Sequence, residues 1–149
     1  MKKFIFPLQF LLEYKEKKEK KLKKELAEVI KKWRREEAFL NKLKKEEEEC
    51  QFLLRQRNKE GKISYIILYQ SYLERLAQKI KKQEMKVRDI FLKVEDKREK
   101  LIRASTEKKT VENLKQKRWM EFIASAKKME QNFLDESATI KFNAWKNNS

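Results

Sequence analysis

The sequence predicts an all-α fold in which two long helices form an antiparallel coiled-coil hairpin, the second helix being the longer. Three observations support this. The 149 residues include one Gly and one Pro, so helix-breaking residues are almost absent. Charged residues make up 43% and apolar residues 40%, a balance typical of long helices. Apolar side chains also recur at alternating steps of three and four residues on both sides of one polar interruption, and frequent aromatic residues argue against disorder.

The apolar positions before the polar interruption form a first heptad seam, which predicts a helix over about residues 6–58. Most of its positions are apolar or Cys, and a sustained heptad of this kind predicts a left-handed supercoil. We expect the charged positions Lys15 and Glu19 to weaken it. The seam positions are Leu8, Leu12, Lys15, Glu19, Leu22, Leu26, Val29, Trp33, Glu36, Leu40, Leu43, Glu47, Cys50 and Leu54.

The chain reverses at about residues 59–62. Residues 55–62 are polar and include Gly61, the residue type best suited to leave a helix in a left-handed conformation, and Ser64 is a candidate cap for the next helix. The second helix is predicted over about 63–142, with a frayed tail at 143–149 and a single coiled-coil domain over 1–149. The second seam positions are Ile66, Tyr69, Leu73, Leu76, Ile80, Gln83, Val87, Ile90, Val94, Lys97, Leu101, Ala104, Lys108 and Val111.

The second helix is predicted to outrun the first. Folding about Gly61 places Phe4 opposite about Arg118, which leaves an overhang of about 25 residues, roughly 35 Å of helix, without an intramolecular partner. The spacing of the apolar residues in this overhang, measured from the last seam position Val111, predicts a stutter before Phe122. Exposed apolar surface of this kind marks a partner site. The alternative is that the segment from Phe4 to Phe10 folds over part of the overhang. The apolar residues of the overhang are Trp119, Phe122, Ile123, Met129, Phe133 and Leu134.

A second surplus of apolar residues surrounds the turn. A two-helix coil buries its seam and the flanks of the seam, so side chains elsewhere face water unless another protein covers them. The alternative is that packing across the turn covers about half of them. The residues concerned are Phe52, Leu53, Tyr65, Ile67, Leu68 and Tyr72.

The residue types argue against an enzyme. The chain has no His and one Cys, Cys50, so it lacks an imidazole base, a Cys/His metal cluster and an internal disulfide. With Gly61 alone there is no glycine-rich phosphate loop, and no cofactor or metal is expected. The first residues imitate a secretory signal but lack its cleavage site, and no apolar run reaches the ~20 residues of a membrane span, so the chain is predicted to be soluble.

The formal net charge of +16 favours acidic partners: a protein surface, anionic lipid or nucleic acid. Two alternatives therefore stay open, a basic nucleic-acid-binding coiled coil and a generic scaffold that dimerises along the overhang. The acidic run from Glu46 to Glu49 argues against a continuous phosphate-binding stripe. Much of the lysine content also fits the simpler role of keeping long helices soluble.

Motifs at both ends resemble those of the FliJ family, small coiled-coil proteins of the flagellar type III export apparatus. The N-terminal run is Phe4-x-Phe6-Pro7-Leu8-Gln9-x-Leu11-Leu12. The C-terminal segment holds Leu114-Lys115-Gln116-Lys117-Arg118 and, at the separation seen in the family, Glu130-Gln131-Asn132-Phe133-Leu134-Asp135-Glu136-Ser137-Ala138. The resemblance covers the whole chain, but Ser137 replaces a usual larger apolar residue and Trp119 a usual polar one.

The resemblance implies a non-enzymatic, stalk-like protein that binds the hexameric flagellar export ATPase, a membrane export-gate protein and export chaperones. It implies a cytoplasmic location, peripheral to the inner face of the cell membrane at the flagellar base, with no specific nucleic acid and no transmembrane segment. Joined to the apolar surpluses, it assigns ATPase binding to the overhang, with residues Lys115, Arg118, Trp119, Phe122, Met129, Phe133, Leu134 and Asp135. It assigns gate or chaperone binding to the hairpin tip, with residues Phe52, Tyr65, Ile67, Tyr69, Tyr72 and Leu76.

Overall fold

A computed structural model describes residues 2–148, which form two α-helices and no strand. Helix α1 spans Gln9–Glu60 and α2 spans Ile63–Asn147. The two helices form a hairpin in which α2 is the longer, so the predicted fold class is confirmed. The described chain divides into two compact units: a tip unit, residues 19–103, and a terminal unit, residues 2–18 with 104–148.

The core of the tip unit is the heptad seam that the sequence predicts. Leu40 and Leu43 of α1 pack with Leu76 and Ile80 of α2, and Val87 packs against this cluster. Within the described residues, every position of both predicted seams is buried or half-buried. The alternating spacing of three and four residues places these side chains on one face of each helix, where each buried Leu contributes roughly 1.5–3 kcal/mol.

The polar positions in the tip-unit seam form hydrogen bonds across it. Gln83, which is buried, donates from Nε2 to the backbone oxygen of Glu36 at 2.9 Å and to its Oε2 at 2.6 Å. Lys86 pairs with the same carboxylate at 3.2 Å, and Lys97 donates to Glu25 at 2.9 Å. Polar groups that are satisfied in only one alignment favour that register over a slipped one.

The turn depends on one backbone conformation. Gly61 has φ of 76°, in the left-handed region that side chains disfavour, and its N–H donates to the backbone oxygen of Asn58 at 3.3 Å. Helix α2 then begins at Ile63, and the N–H of Ile66 donates to the oxygen of Lys62. Ser64 therefore lies inside the first turn of α2 rather than at the cap position that the sequence suggested.

The terminal unit is closed by a non-helical N-terminal segment, residues 2–8, which we call the strap. Because a residue before proline is disfavoured from the helical region, Phe6 does not start a helix, and α1 begins at Gln9 rather than at about residue 6. The N–H of Gln9 donates to the oxygen of Phe6 at 3.1 Å. The apolar cluster of the terminal unit consists of Phe6, Leu12 and Val111, with Phe4, Leu8, Leu11 and Leu114 packed against it.

The predicted weakness at Lys15 is offset by an ion pair within the terminal unit. Lys15 is half-buried in the seam of α1, and its Nζ lies 2.6 Å from Oε2 of Glu107 on α2. Its aliphatic stem covers the seam while its charge is neutralised at the rim, as long cationic side chains commonly do.

The second helix departs from the sequence prediction at its end. It continues to Asn147, so residues 143–147 are helical where a frayed tail was predicted. The stutter before Phe122 stays a prediction, since Lys115 and Phe122 are half-buried but Arg118, at the intervening seam step, is exposed.

Acid should destabilise the hairpin through three carboxylates that are hydrogen-bonded across it. The hydrogen bond from Lys97 lowers the pKa of Glu25, that from Gln83 (with a further one from Lys86) lowers the pKa of Glu36, and that from Lys15 lowers the pKa of Glu107. A carboxyl whose pKa is lower in the folded state stabilises the fold above its unfolded value of about 4.3, and this stability is lost as pH falls below it.

We therefore expect the thermal midpoint, followed by circular dichroism, to fall as pH is lowered from about 5.5 towards 3. Replacing Glu25, Glu36 and Glu107 with Gln should flatten that dependence. The matched control replaces the exposed Glu28, Glu48 and Glu99, which removes the same charge. An equal flattening in both variants would mean that net charge, rather than these pairs, sets the acid sensitivity.

Candidate interaction surfaces

The described residues present exposed apolar surfaces at the hairpin turn and along the end of α2. Residues 2–148 contain no group of side chains placed to hold a metal ion. No helix in this part of the chain is long and apolar enough to cross a membrane. Open grooves lie at the turn, beside the strap and between Trp33 and Phe91.

The first surface is the distal overhang, residues 124–147 of α2. All of its side chains are exposed except that of Ser137, which is half-buried. Its large apolar side chains are nevertheless numerous, and Met129, Phe133 and Ile140 are each more than 60% exposed. An exposed apolar row on a highly charged chain, interrupted here only at Ser137, is typical of a surface that another protein covers.

Helix geometry sorts these side chains into two rows. Ala126, Met129, Phe133 and Ile140 are spaced by three, four and seven residues and lie on one face, in line with Phe122. The other row consists of Leu134, Phe142 and Trp145. The ring centroids of Phe142 and Trp145 are 6.1 Å apart. The overhang thus presents a heptad-like apolar row to solvent, the pattern that the paired part of α2 presents to α1.

The strap covers the beginning of the overhang. The Phe4 ring lies 5.2 Å from that of Trp119 and 5.6 Å from that of Phe122, and Trp119 stacks on Phe122 at 5.8 Å. This is the covering that the sequence left open as an alternative, and it extends to about Ile123, which is half-buried. Trp119 and Phe122 therefore hold the strap in place as well as facing outward.

The polar residues assigned to the overhang occupy different surroundings. Lys115 is half-buried in a groove with Phe4, Leu12 and Trp119. Arg118 lines a pocket beside the strap. Asp135 is tied along its own helix, since its carboxylate accepts a hydrogen bond from Gln131 Nε2 at 3.1 Å.

The second surface surrounds the hairpin turn in the tip unit, and we call it the tip surface. The predicted off-seam residues are all exposed there: Phe52, Leu53, Tyr65, Ile67, Leu68 and Tyr72. Two cations flank Tyr65, with Arg57 5.3 Å and Lys62 5.5 Å from the ring centroid. Cation–π contacts of this kind hold the ring against the turn.

A groove of about 460 Å³ lies within the tip surface. Three tyrosines, Tyr65, Tyr69 and Tyr72, line it together with the carboxylates of Glu46 and Glu49. Buried Cys50 forms part of the same wall, and burial raises the pKa of its thiol. The sequence prediction did not assign these two glutamates to the tip, although the run of glutamates directly before Cys50 could have indicated an acidic groove there.

Two residues assigned to the tip lie in the seam instead. Leu76 is 2% exposed and packs in the core cluster, so its side chain stabilises the hairpin and is not open to a partner. Tyr69 is half-buried, and its backbone oxygen lies 4.0 Å from the Cys50 sulfur. The side chain of Leu76 is therefore not part of the exposed tip surface, whereas Tyr69 also lines the groove and its assignment to the tip stays a prediction.

Both surfaces belong to a chain whose family is known from its sequence. The family model described as flagellar FliJ protein matches residues 3–147. The chain belongs to the FliJ family. As a FliJ family member it is a non-catalytic component of the flagellar export apparatus. No curated protein and no solved structure matches it.

The match includes both surfaces. The tip surface, the distal overhang and residues 3–8 of the strap lie inside the matched range.

Proposed function

We propose that the distal overhang binds the hexameric flagellar export ATPase and that the tip surface binds the export gate or an export chaperone. The observation on which this depends is the exposed apolar row of Met129, Phe133 and Ile140 on a helix that extends beyond its intramolecular partner. A protein of the export apparatus that exposes such a row needs a partner to cover it.

The single helix of the overhang suits a narrow, concave binding site. A helix with its side chains is about 10–12 Å across. A single helix can therefore enter the central opening of a protein ring, which a broad flat surface cannot do. Met129 and Phe133 act as anchors because large apolar and aromatic side chains supply most interface energy. The lysines around them speed docking onto an acidic partner more than they set the final affinity.

The tip surface has different chemistry and therefore suits a different partner. Its groove combines tyrosines with two glutamates on a chain of net charge +16. Tyrosine offers a large apolar ring and a hydroxyl in one rigid side chain, which favours protein contacts. A gate or chaperone segment with basic and apolar residues matches this groove.

This arrangement gives the protein a place at the inner face of the cell membrane, on the cytoplasmic side at the flagellar base. Binding to the gate and the ATPase, rather than a membrane span, would hold it there. The scaffold alternative predicts a stable homodimer through the overhang, whereas the present proposal predicts a monomer by sedimentation velocity.

The test compares the two surfaces in one experiment. Tyr72→Ala should weaken binding to the purified cytoplasmic domain of the gate by about 30-fold, which corresponds to a hot spot of ~2 kcal/mol. Binding to the ATPase hexamer should not change, because Tyr72 lies in the tip unit. Both affinities are measured by biolayer interferometry.

Tyr14→Ala, an equally conservative loss of an exposed tyrosine from the other unit, is the control and should affect gate binding little. If Tyr72→Ala weakens both partners together, or neither, the assignment of separate surfaces is wrong. Failure of the unmodified protein to bind the ATPase would reject the proposed function itself.

A further inference from the structure

A pocket of about 380 Å³ lies between the strap and α2 in the terminal unit. One wall is the strap and the other is a single turn of α2, so the pocket exists only because the strap packs back on the helix. Its lining consists of Lys2, Lys3, Phe4, Ile5, Pro7, Arg118, Glu121 and Phe122. Of these, only Arg118 and Phe122 were assigned to a site from the sequence.

The walls of the pocket are held in place before any partner arrives. Phe4 contacts both Trp119 and Phe122 through its ring, and the next aromatic residue of the strap, Phe6, is buried in the apolar cluster. Pro7 restricts the backbone of the strap just before α1 begins. A preformed pocket avoids much of the ordering cost that binding otherwise incurs.

The chemistry of the pocket is apolar between its walls and cationic around them. Phe4, Ile5, Pro7 and Phe122 supply apolar surface, and Ile5 is largely exposed to solvent. The charged members of the lining are three cations, Lys2, Lys3 and Arg118, against the one carboxylate of Glu121. Among residues 2–148, the side chains of Lys2, Lys3 and Arg118 form no ion pair or hydrogen bond.

We propose that this pocket docks an acidic protein segment that inserts one apolar side chain between Ile5 and Phe122. The apolar walls select for the inserted side chain, and the cationic rim selects for the carboxylates beside it. A small anion has no use for the apolar walls, and a flat lipid surface does not enter a recess between a strap and a helix. The proposal rests on the proposed function, since it adds the strap to the surface that meets the ATPase.

The site is tested first with a defined probe. The probe is a capped synthetic peptide in which one leucine is flanked on both sides by glutamates, and its comparison peptide has serine in place of leucine. Binding is followed by the indole N–H resonances of ¹⁵N-labelled full-length protein. Trp119 stacks on Phe122 beside the pocket, whereas Trp33 packs on Phe91 in the other unit and serves as an internal reference.

The leucine peptide should shift the Trp119 resonance saturably and leave that of Trp33 unchanged. The double variant Lys2→Glu/Lys3→Glu should weaken this binding about tenfold or more. The control variant Lys20→Glu/Lys24→Glu removes the same charge from exposed positions of α1 and should weaken it far less. Ile5→Ala tests the apolar wall without removing the Phe4 contact and should weaken binding several-fold.

Equal weakening by the two charge-reversal variants would overturn the proposal, because binding would then reflect net charge. Equal binding of the serine and leucine peptides would overturn it as well. So would anionic phosphatidylglycerol vesicles that bind with the same dependence on Lys2 and Lys3 and displace the peptide.

The same variants are then assayed against the ATPase hexamer. If the hexamer binds the unmodified protein and Lys2→Glu/Lys3→Glu equally well, the pocket inference fails and the proposed function stands. If the hexamer does not bind the unmodified protein, the proposed function fails, and the peptide result alone decides the chemistry of the pocket.

Discussion

Replacing Leu76 with Ala should lower the free energy of unfolding by about 3 kcal/mol. The side chain is 2% exposed and packs with Leu40, Leu43 and Ile80 between the two helices. A hairpin of two helices has no third layer that can move in to fill the cavity, so the loss should approach that of a fully enclosed site. Urea unfolding followed by circular dichroism gives the free energy and its slope.

Leu92→Ala is the matched control, since Leu92 lies on the same helix of the tip unit and is 61% exposed. It should change the free energy of unfolding by no more than about 0.5 kcal/mol. Similar losses in the two variants would show that the seam does not dominate stability. Unchanged stability in Leu76→Ala would contradict the placement of Leu76 in the core cluster.

Replacing Met129 and Phe133 together with Ala should weaken ATPase binding by about 100-fold or more, given hot-spot losses of ~2 kcal/mol for large buried anchors. Both side chains are exposed on one face of the distal overhang, so their removal leaves the packed parts of the chain intact. Alanine also has the highest helix propensity, so helicity should not fall. Binding by interferometry and helicity by circular dichroism are measured on the same samples.

Phe122 is less suitable for this test, although the sequence singled it out. Its ring contacts those of Phe4 and Trp119, so Phe122→Ala would loosen the strap as well as remove an anchor. Phe10→Ala is the control, because Phe10 is as exposed as Phe133 but lies on α1 of the same unit. Undiminished ATPase binding by Met129→Ala/Phe133→Ala would reject the overhang as the contact.

Most of the fold could be predicted from sequence because a heptad specifies which side of each helix is buried. The seam from Leu12 to Cys50, the reversal at Gly61 and the greater length of α2 all follow from spacing and from one glycine. The ion pairs and hydrogen bonds of charged seam positions could not be predicted. The pairing of Lys15 with Glu107 depends on the register between helices, which a single seam does not define.

The strap shows a different kind of limit. Residues 2–8 have no helical or strand period, so nothing in their spacing indicates where they pack. Phe4 and Phe6 are separated by one residue, and Pro7 follows Phe6. The Phe4 ring packs on α2, whereas the Phe6 ring is buried in the apolar cluster. The length difference predicted that Phe4 would reach about Arg118, and the structure adds that it closes over Trp119 there.

The isolation of the distal overhang has an energetic consequence for binding. Its described side-chain hydrogen bonds run along the helix, from Gln131 and Thr139 to Asp135. Because no tertiary packing supports this segment of α2, its amide protons should exchange far faster than those of the seam. Part of the affinity for any partner is then set by how readily the helix forms. Substitutions at solvent-facing positions such as Asn132 should tune binding without touching the partner at all.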